Sequence, residues 1–128
     1  MEVTIYNGGG MVPESQTVMI KAASCSYIHW HMPKTDTLTF VLSQQELDAL
    51  LKEMNTSHFS NTTSSDKGTM AYDKPTTSIE FKSGKNVHKV SDGATESIDG
   101  NNDSKFFALY RYILALAQKK TGQDTKEN

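Results

Sequence analysis

The chain has 128 residues, with thirteen Lys and Arg against fifteen Asp and Glu and a formal net charge of −2. This length fits one domain, and the charge balance leaves no basic excess to neutralise phosphates, so we expect no nucleic-acid partner. No segment approaches the roughly 18–20 apolar residues that a membrane span needs.

The compartment stays open at this level. The single cysteine, Cys25, cannot form an intramolecular disulfide and so gives no information about redox environment. The first residues lack the basic end and apolar run of a signal peptide. The chain as it stands therefore fits the cytoplasm, and it fits a periplasmic or exported protein equally well if a signal segment has been removed.

The first part of the chain alternates apolar and polar residues, which predicts strands. Pro33 cannot donate to a strand ladder, so we expect the third strand to end there. The predicted strands lie near residues 3–5 and over 16–22, 26–32 and 38–42.

At Ser43 the apolar pattern changes from a period of two to a period of 3.6. Ser43 and Glu46 match a capping box, in which each side chain accepts from the backbone of the other residue. Leu42 and Leu47 stand at the staple positions across that cap. The sequence therefore predicts a helix that begins after Ser43 and carries Leu47, Leu50, Leu51 and Met54 on one face.

Two polar loops flank a hairpin in the second half. The first loop, 55–77, has Phe59, Met70 and Tyr72 as its apolar anchors. The hairpin joins strands 77–82 and 86–90 through the three-residue connection 83–85, whose glycine fits a bulged turn. After the second loop, 91–102, a helix is predicted over 105–120, capped by Asp103 or Ser104 and ended by Gly122.

This order of elements predicts an α+β fold over residues 1–121, followed by a disordered tail over 122–128. We expect two layers: a mostly antiparallel sheet of five or six strands, with both helices packed on one face. The last helix is apolar over more than half of its circumference, which is typical of a helix wedged inside a domain or in contact with a second subunit. An unknown protein partner, or self-association through this helix, follows as a hypothesis.

His29 and His31 are the sharpest local signal for a site. Two histidines at i and i+2 of a strand point from one face, as in some metal sites on sheets, and Tyr27 shares that face. A metal would need a third ligand from elsewhere in the chain, and the alternative is a pair of solvent-facing histidines. His29 and His31 are therefore candidate metal ligands. Together with Tyr27 they form a candidate binding face. The pattern does not determine whether that face is exposed or covered by other elements.

No spacing in the chain predicts catalysis or a cofactor. Cys25 has no activating helix terminus or glycine elbow beside it, so we expect a buried, passive thiol. The acidic run from Asp99 to Asp103 begins like a calcium loop but has Ser104 where glycine is needed and Tyr110 where glutamate is needed. We name no catalytic residue, and expect any site on the sheet face opposite the helices or in the two long loops.

Several short motifs follow one another in a fixed order along the chain: Leu42-Ser43, Glu46-Leu47, Leu50, Phe59, Asp73-Lys74-Pro75-Thr76, Gly84-Lys85 and Val90. In this order they resemble a family of small uncharacterised bacterial domains, frequent in exported proteins and lipoproteins of Bacteroidota. The resemblance covers roughly residues 36–120, and the early Cys-containing turn usual in that family is absent here. It implies no activity, because none is assigned to the family.

Two functions are compatible with this sequence. The first is a non-enzymatic module that binds a protein or has a structural role, with a homodimer as one form. The second is a metal-binding protein, or a small metal-dependent enzyme, that uses His29 and His31.

Overall fold

Antiparallel pairing joins six strands into one sheet, in the order β4-β3-β2-β1-β6-β7. The computed structural model describes residues 1–10, 13–21, 24–68 and 74–123. In chain order the elements are β1 (Glu2–Gly8), β2 (Glu14–Lys21), β3 (Ser24–His31), β4 (Lys34–Phe40), α1 (Gln44–Thr56), a 3₁₀ turn (Phe59–Asn61), β5 (Ser64–Asp66), β6 (Thr76–Ser83), β7 (Asn86–Asp92), β8 (Glu96–Ile98) and α2 (Asp103–Thr121).

The α+β architecture predicted from the sequence is confirmed. One hydrophobic cluster fills the space between the sheet and the two helices, and α2 packs across β1 to β4 on the same side. The cluster is built from alternate residues of each strand, as a sheet with one covered face requires. Its fully buried members include Val3, Ile5, Val18, Ile20, Leu50, Ile79, Val90, Leu109 and Ile113.

The capping box at the start of α1 forms as predicted. The Glu46 amide donates to Ser43 Oγ at 3.1 Å, and the Ser43 amide donates to Glu46 Oε1 at 2.8 Å. Glu46 Oε1 also accepts from Lys120 Nζ at 3.0 Å, which ties the start of α1 to the end of α2. These bonds lower the pKa of Glu46, the Ser43 amide most and Lys120 next.

The apolar side chains of α2 are covered within the chain itself. Phe106, Leu109, Tyr110, Ile113 and Ala117 are buried. Phe107, Tyr112, Leu114 and Leu116 are half-buried and pack on the same cluster. The large exposed apolar side chains of the described residues all lie outside α2. The helix therefore packs against the sheet of its own chain, which is one of the two arrangements that its composition allows.

Four sequence expectations need correction. β4 occupies Lys34–Phe40 rather than 38–42, because the turn after His31 is only two residues long. The β6–β7 connection is Gly84-Lys85, since Ser83 pairs directly with Asn86. The cap of α2 is Asn102, with no side-chain hydrogen bond to the helix, in place of Asp103 or Ser104. Gly122 ends that helix at a positive φ of 74°, as predicted.

The fourth correction concerns the two long loops, because each contains a short strand. β5 lies in the first loop and β8 in the second, and they pair with each other as a separate two-stranded sheet. Phe59 is buried, as predicted for the first loop. Met70, Tyr72, Asp73 and the tail 124–128 lie outside the described residues, so the expectations that concern them stay predictions.

Candidate functional site

The three residues of the predicted binding face run from buried to exposed along β3. Tyr27 is only 4% exposed, His29 is half-buried and His31 is exposed. Tyr27 Oη donates to Gln16 Oε1 at 3.0 Å and accepts from Gln118 Nε2 of α2 at 3.4 Å. All three residues therefore lie on the face of the sheet that the helices cover. Tyr27 is inside the core, and only the two histidines are in contact with solvent.

His29 is held by a carboxylate of the neighbouring strand. Its Nε2 lies 2.5 Å from Glu14 Oε2, with both side chains about one third exposed (34% and 36%). The ring stacks in parallel with Tyr27, with a centroid separation of 6.4 Å, and the centroid of His31 is 6.5 Å away. Glu14 thus fixes one ring nitrogen of His29, an interaction that the sequence could not predict because it depends on the β2–β3 register.

The structure places two of the ligands that the metal hypothesis requires, His29 and His31, next to each other. A structural metal site needs three or four ligands, arranged around one point. Within residues 1–10, 13–21, 24–68 and 74–123, no group of three or more His, Cys, Asp and Glu side chains could hold a metal ion. His29 and His31 are neighbours, but the carboxylate nearest to them is bound to a ring nitrogen that a metal would use.

Cys25 is a free and buried thiol, as expected from the sequence. Burial raises its pKa above the usual value, and the smaller opposing effects come from the backbone of Lys21 and Leu42 and from the charge of Lys120. Because the thiolate is the reactive form, this position favours the unreactive thiol.

The acidic loop forms a structural clamp. Asp99 accepts from Thr63 Oγ1 at 2.8 Å, from Ser65 Oγ at 2.6 Å and from Lys67 Nζ at 2.9 Å. These hydrogen bonds, with Ser65 first, lower the pKa of Asp99 to about 2. The carboxylate that begins the calcium-like sequence is therefore occupied in joining the two loops.

His88 is also held by hydrogen bonds, in this case to the backbone. Its Nε2 lies 2.8 Å from the carbonyl oxygen of Thr62 and 3.1 Å from that of Phe59, so this nitrogen is the donor. Its ring also meets Phe59 edge-on at 5.0 Å. A cleft of about 210 Å³ beside it is lined mainly by the apolar residues Leu51, Met54, Phe59 and Phe81. No local sequence pattern indicates this cleft, because its walls come from elements about 30 residues apart.

The other face of the six-stranded sheet carries no helix among the described residues, and we call it the open face. Strand pairing places its side chains in rows that cross the sheet. Two adjoining rows contain no charged side chain, and we call them the uncharged strip. The strip consists of Thr35, Trp30, Ser15, Gly8 and Thr76 in one row, and Thr37, Ile28, Thr17, Tyr6 and Ser78 in the next.

The uncharged strip contains two aromatic side chains, Tyr6 on β1 and Trp30 on β3. A Cβ on Gly8 would come within 2.7 Å of Tyr6 Oη and 2.5 Å of Ser15 Cβ, so only glycine lets Tyr6 lie along the sheet. Trp30 is 36% exposed, while Tyr6 and Ile28 are half-buried. A shallow depression of about 420 Å³ lies around Tyr6 on this face. The charged residues of the open face stand in the rows beyond, among them Glu80, Lys89, Glu2 and Lys21.

Comparison with models of known protein families finds no match, and comparison with curated proteins finds none either. In the described part of the chain, neither helix is both long enough and apolar enough to cross a membrane. The candidate sites therefore rest on the geometry above.

Proposed function

We propose that this chain is a non-enzymatic binding module and that a partner protein docks on the uncharged strip of its open face. The observation that carries this proposal is the strip itself: two adjoining rows without charge, with Tyr6, Ile28 and Trp30 among them. Both helices lie on the opposite side of the sheet, so the strip is accessible in the part of the chain that is described.

The strip shares two features with the centre of a protein interface, namely the absence of charged side chains and the presence of aromatic ones. Such centres are depleted of charged side chains and enriched in aromatic ones, and a polar rim surrounds them. Five strands at about 4.8 Å spacing give the strip a length of roughly 20 Å, which suits a small or transient interface. The charged rows with Glu80, Lys89 and Lys21 would form one side of its rim.

Three titratable groups near the candidate sites have structural partners, which supports a non-enzymatic role. Glu14 binds His29, two backbone carbonyls accept from His88, and hydroxyls with Lys67 hold Asp99. A catalytic nucleophile needs a base within hydrogen-bonding reach, and the one cysteine is a buried thiol with a raised pKa.

The single tryptophan provides a direct test, because Trp30 lies in the strip and reports on it alone. Proteins captured by the purified chain, but not by Thr17→Lys, would be purified and titrated against the wild-type chain. We expect the emission of Trp30 to shift to shorter wavelength as the partner covers it. The Thr17→Lys variant should bind at least about tenfold more weakly, because docking would bury an unpaired charge.

Ser24→Lys is the matched control. It adds the same charge to the same face, but in a row that already holds Lys21, Glu2 and Lys82. We expect it to bind like the wild type. Equal capture by the wild type and Thr17→Lys, or binding without any change in Trp30 emission, would contradict docking at the strip.

A further inference from the structure

The two edges of the six-stranded sheet differ in how they are covered. At β7 the small β5–β8 sheet lies alongside, and the Ser91 amide donates to Ser64 Oγ at 3.0 Å. At the other edge, β4 pairs with β3 on its inner side, and no described residue pairs with its outer side. An uncovered edge presents a row of free N–H and C=O groups to which another strand can add.

β4 has few of the features that discourage strand addition, and its one charged residue away from the strand end is Asp36, on the helix-covered face. Its seven residues keep an unbroken register with β3, from Lys34 opposite His31 to Phe40 opposite Cys25, without a bulge or a proline. Its one lysine, Lys34, is its first residue. The side chains on the open face are the β-branched Thr35, Thr37 and Thr39, which favour extended pairing. This edge is therefore suited to receive a strand.

We propose that β4 pairs antiparallel with β4 of a second copy of this chain, about a two-fold axis at Thr37. In an antiparallel pair, a residue whose N–H and C=O point towards the other strand always lies opposite a residue whose N–H and C=O point back towards it. For two identical strands, this rule requires that one residue lies opposite its own copy. The two-fold axis then passes between these two copies. An axis at Thr37 overlaps all of Lys34–Phe40, and any other axis leaves part of the strand unpaired.

The chemistry of β4 favours the same register. With the axis at Thr37, the two Thr37 side chains face each other and Thr35 faces Thr39 of the second copy, and threonine pairs of this kind stabilise sheets. Asp36 then faces Leu38. The two Asp36 carboxylates approach only along the diagonal, roughly 7–8 Å apart. An axis at Asp36 would place them directly opposite each other, so charge repulsion disfavours that register.

The pairing has consequences for the shape of the dimer. A two-fold axis perpendicular to the sheet keeps both sets of helices on one side and joins the two open faces into one surface. α2 packs on β3 and β4, so each copy brings its α2 towards the new seam. One strand pair is a small interface, and we expect association that depends on concentration.

Light scattering after size-exclusion chromatography tests the association. Over loading concentrations from roughly 10 µM to 1 mM, the range of weak interfaces, the mass should rise from 14.2 kDa towards twice that value. A mass that stays at 14.2 kDa throughout would overturn the proposal.

A charge exchange at the axis tests the register. Thr37→Lys and Thr37→Glu each replace a favourable threonine pair by like charges opposite each other, so each variant alone should dimerise about three- to tenfold more weakly. An equimolar mixture of the two should restore dimers, because the heterodimer pairs opposite charges. Thr17→Lys is the control, since it lies in the same row but on the interior strand β2, and it should dimerise like the wild type. Failure of the mixture to dimerise, or equal weakening by Thr17→Lys, would overturn pairing through β4.

Discussion

Asp99 is the residue that joins the two long loops. Thr63 and Ser65, which donate to it, precede it by 36 and 34 positions in the chain. Its hydrogen bonds favour the carboxylate over the neutral acid, which is why its pKa is lowered. The group is solvent-accessible, so the charge of Lys67 adds less than the hydroxyl donors do.

The pH dependence of this clamp follows from the direction of the shift. The folded pKa of about 2 lies below the usual 3.8, so the stabilisation is fully present above pH 3.8. It is lost as pH falls from 3.8 through about 2. We expect the carboxyl carbon of Asp99, followed by NMR, to titrate with a midpoint near 2. In Thr63→Ala/Ser65→Ala the midpoint should move towards the usual value, and an unchanged midpoint would show that the hydroxyls do not hold this carboxylate.

At the scale of single elements, two adjacent leucines of α1 differ strongly in solvent exposure. Leu50 is 0% exposed, whereas Leu51 is 41% exposed at the rim of the cleft beside Phe59. One step along a helix turns the side chain by about 100°, which moves it from the core towards solvent. Identical substitutions at these two positions therefore measure how the helix is oriented on the sheet.

Leu50→Ala should lower the free energy of unfolding by about 2–5 kcal/mol, because it leaves a cavity in the core. Leu51→Ala should cost about 1 kcal/mol or less, since most of that side chain is not packed. Urea denaturation followed by circular dichroism measures both. Similar losses for the two variants would mean that α1 does not present Leu50 to the sheet.

The elements that the sequence predicted well are those with a local physical cause. Ser43 and Glu46 satisfy the first amides of α1 without help from the rest of the chain, and the alternation in β1, β2 and β3 reflects one buried face. β5 and β8 were missed because three-residue strands carry no periodicity. The cap of α2 was also missed, since Asn102 has φ −100° and ψ 1°, a geometry in which its side chain does not reach the helix amides.

For the whole molecule, the packing of α2 on the sheet makes stability depend on pH in the alkaline range. Tyr110 is 8% exposed. Burial first, and the nearby Tyr27 second, raise the pKa of Tyr110 to about 12. The buried phenol is held neutral, so its contribution is present below the usual pKa of 10 and is lost as pH rises from 10 through about 12.

Tyr110→Phe should therefore unfold at a higher pH than the wild type, because the variant has no buried phenol to ionise. Stability at pH 7 and pH 11, measured by urea denaturation, gives the comparison. We expect the wild type to lose more stability than Tyr110→Phe between these two values. An equal loss in both proteins would assign alkaline unfolding to other groups.

The arrangement of the sheet explains why the site could not be read from the sequence. Alternation places Tyr27, His29 and His31 on one face of β3 but does not say which face the helices cover. The uncharged strip exists only through the register of five strands, so Trp30, Thr17 and Tyr6 have no sequence pattern in common. Strand order was equally inaccessible, because pairing between β1 and β6 leaves no local signal.

That pairing also has a consequence for how the chain is made. β1 is an interior strand, and its second neighbour pairs Glu2 with Lys82 and Gly8 with Thr76. During synthesis, β1 has no partner on its second side until β6 has been made, and more than half of the chain lies between these two strands. Contacts of such large sequence separation slow folding, and a strand left waiting is exposed to wrong partners. The ribosome therefore releases the central strand β1 long before its partner β6, and in the interval between them β1 is exposed to pairing with other chains.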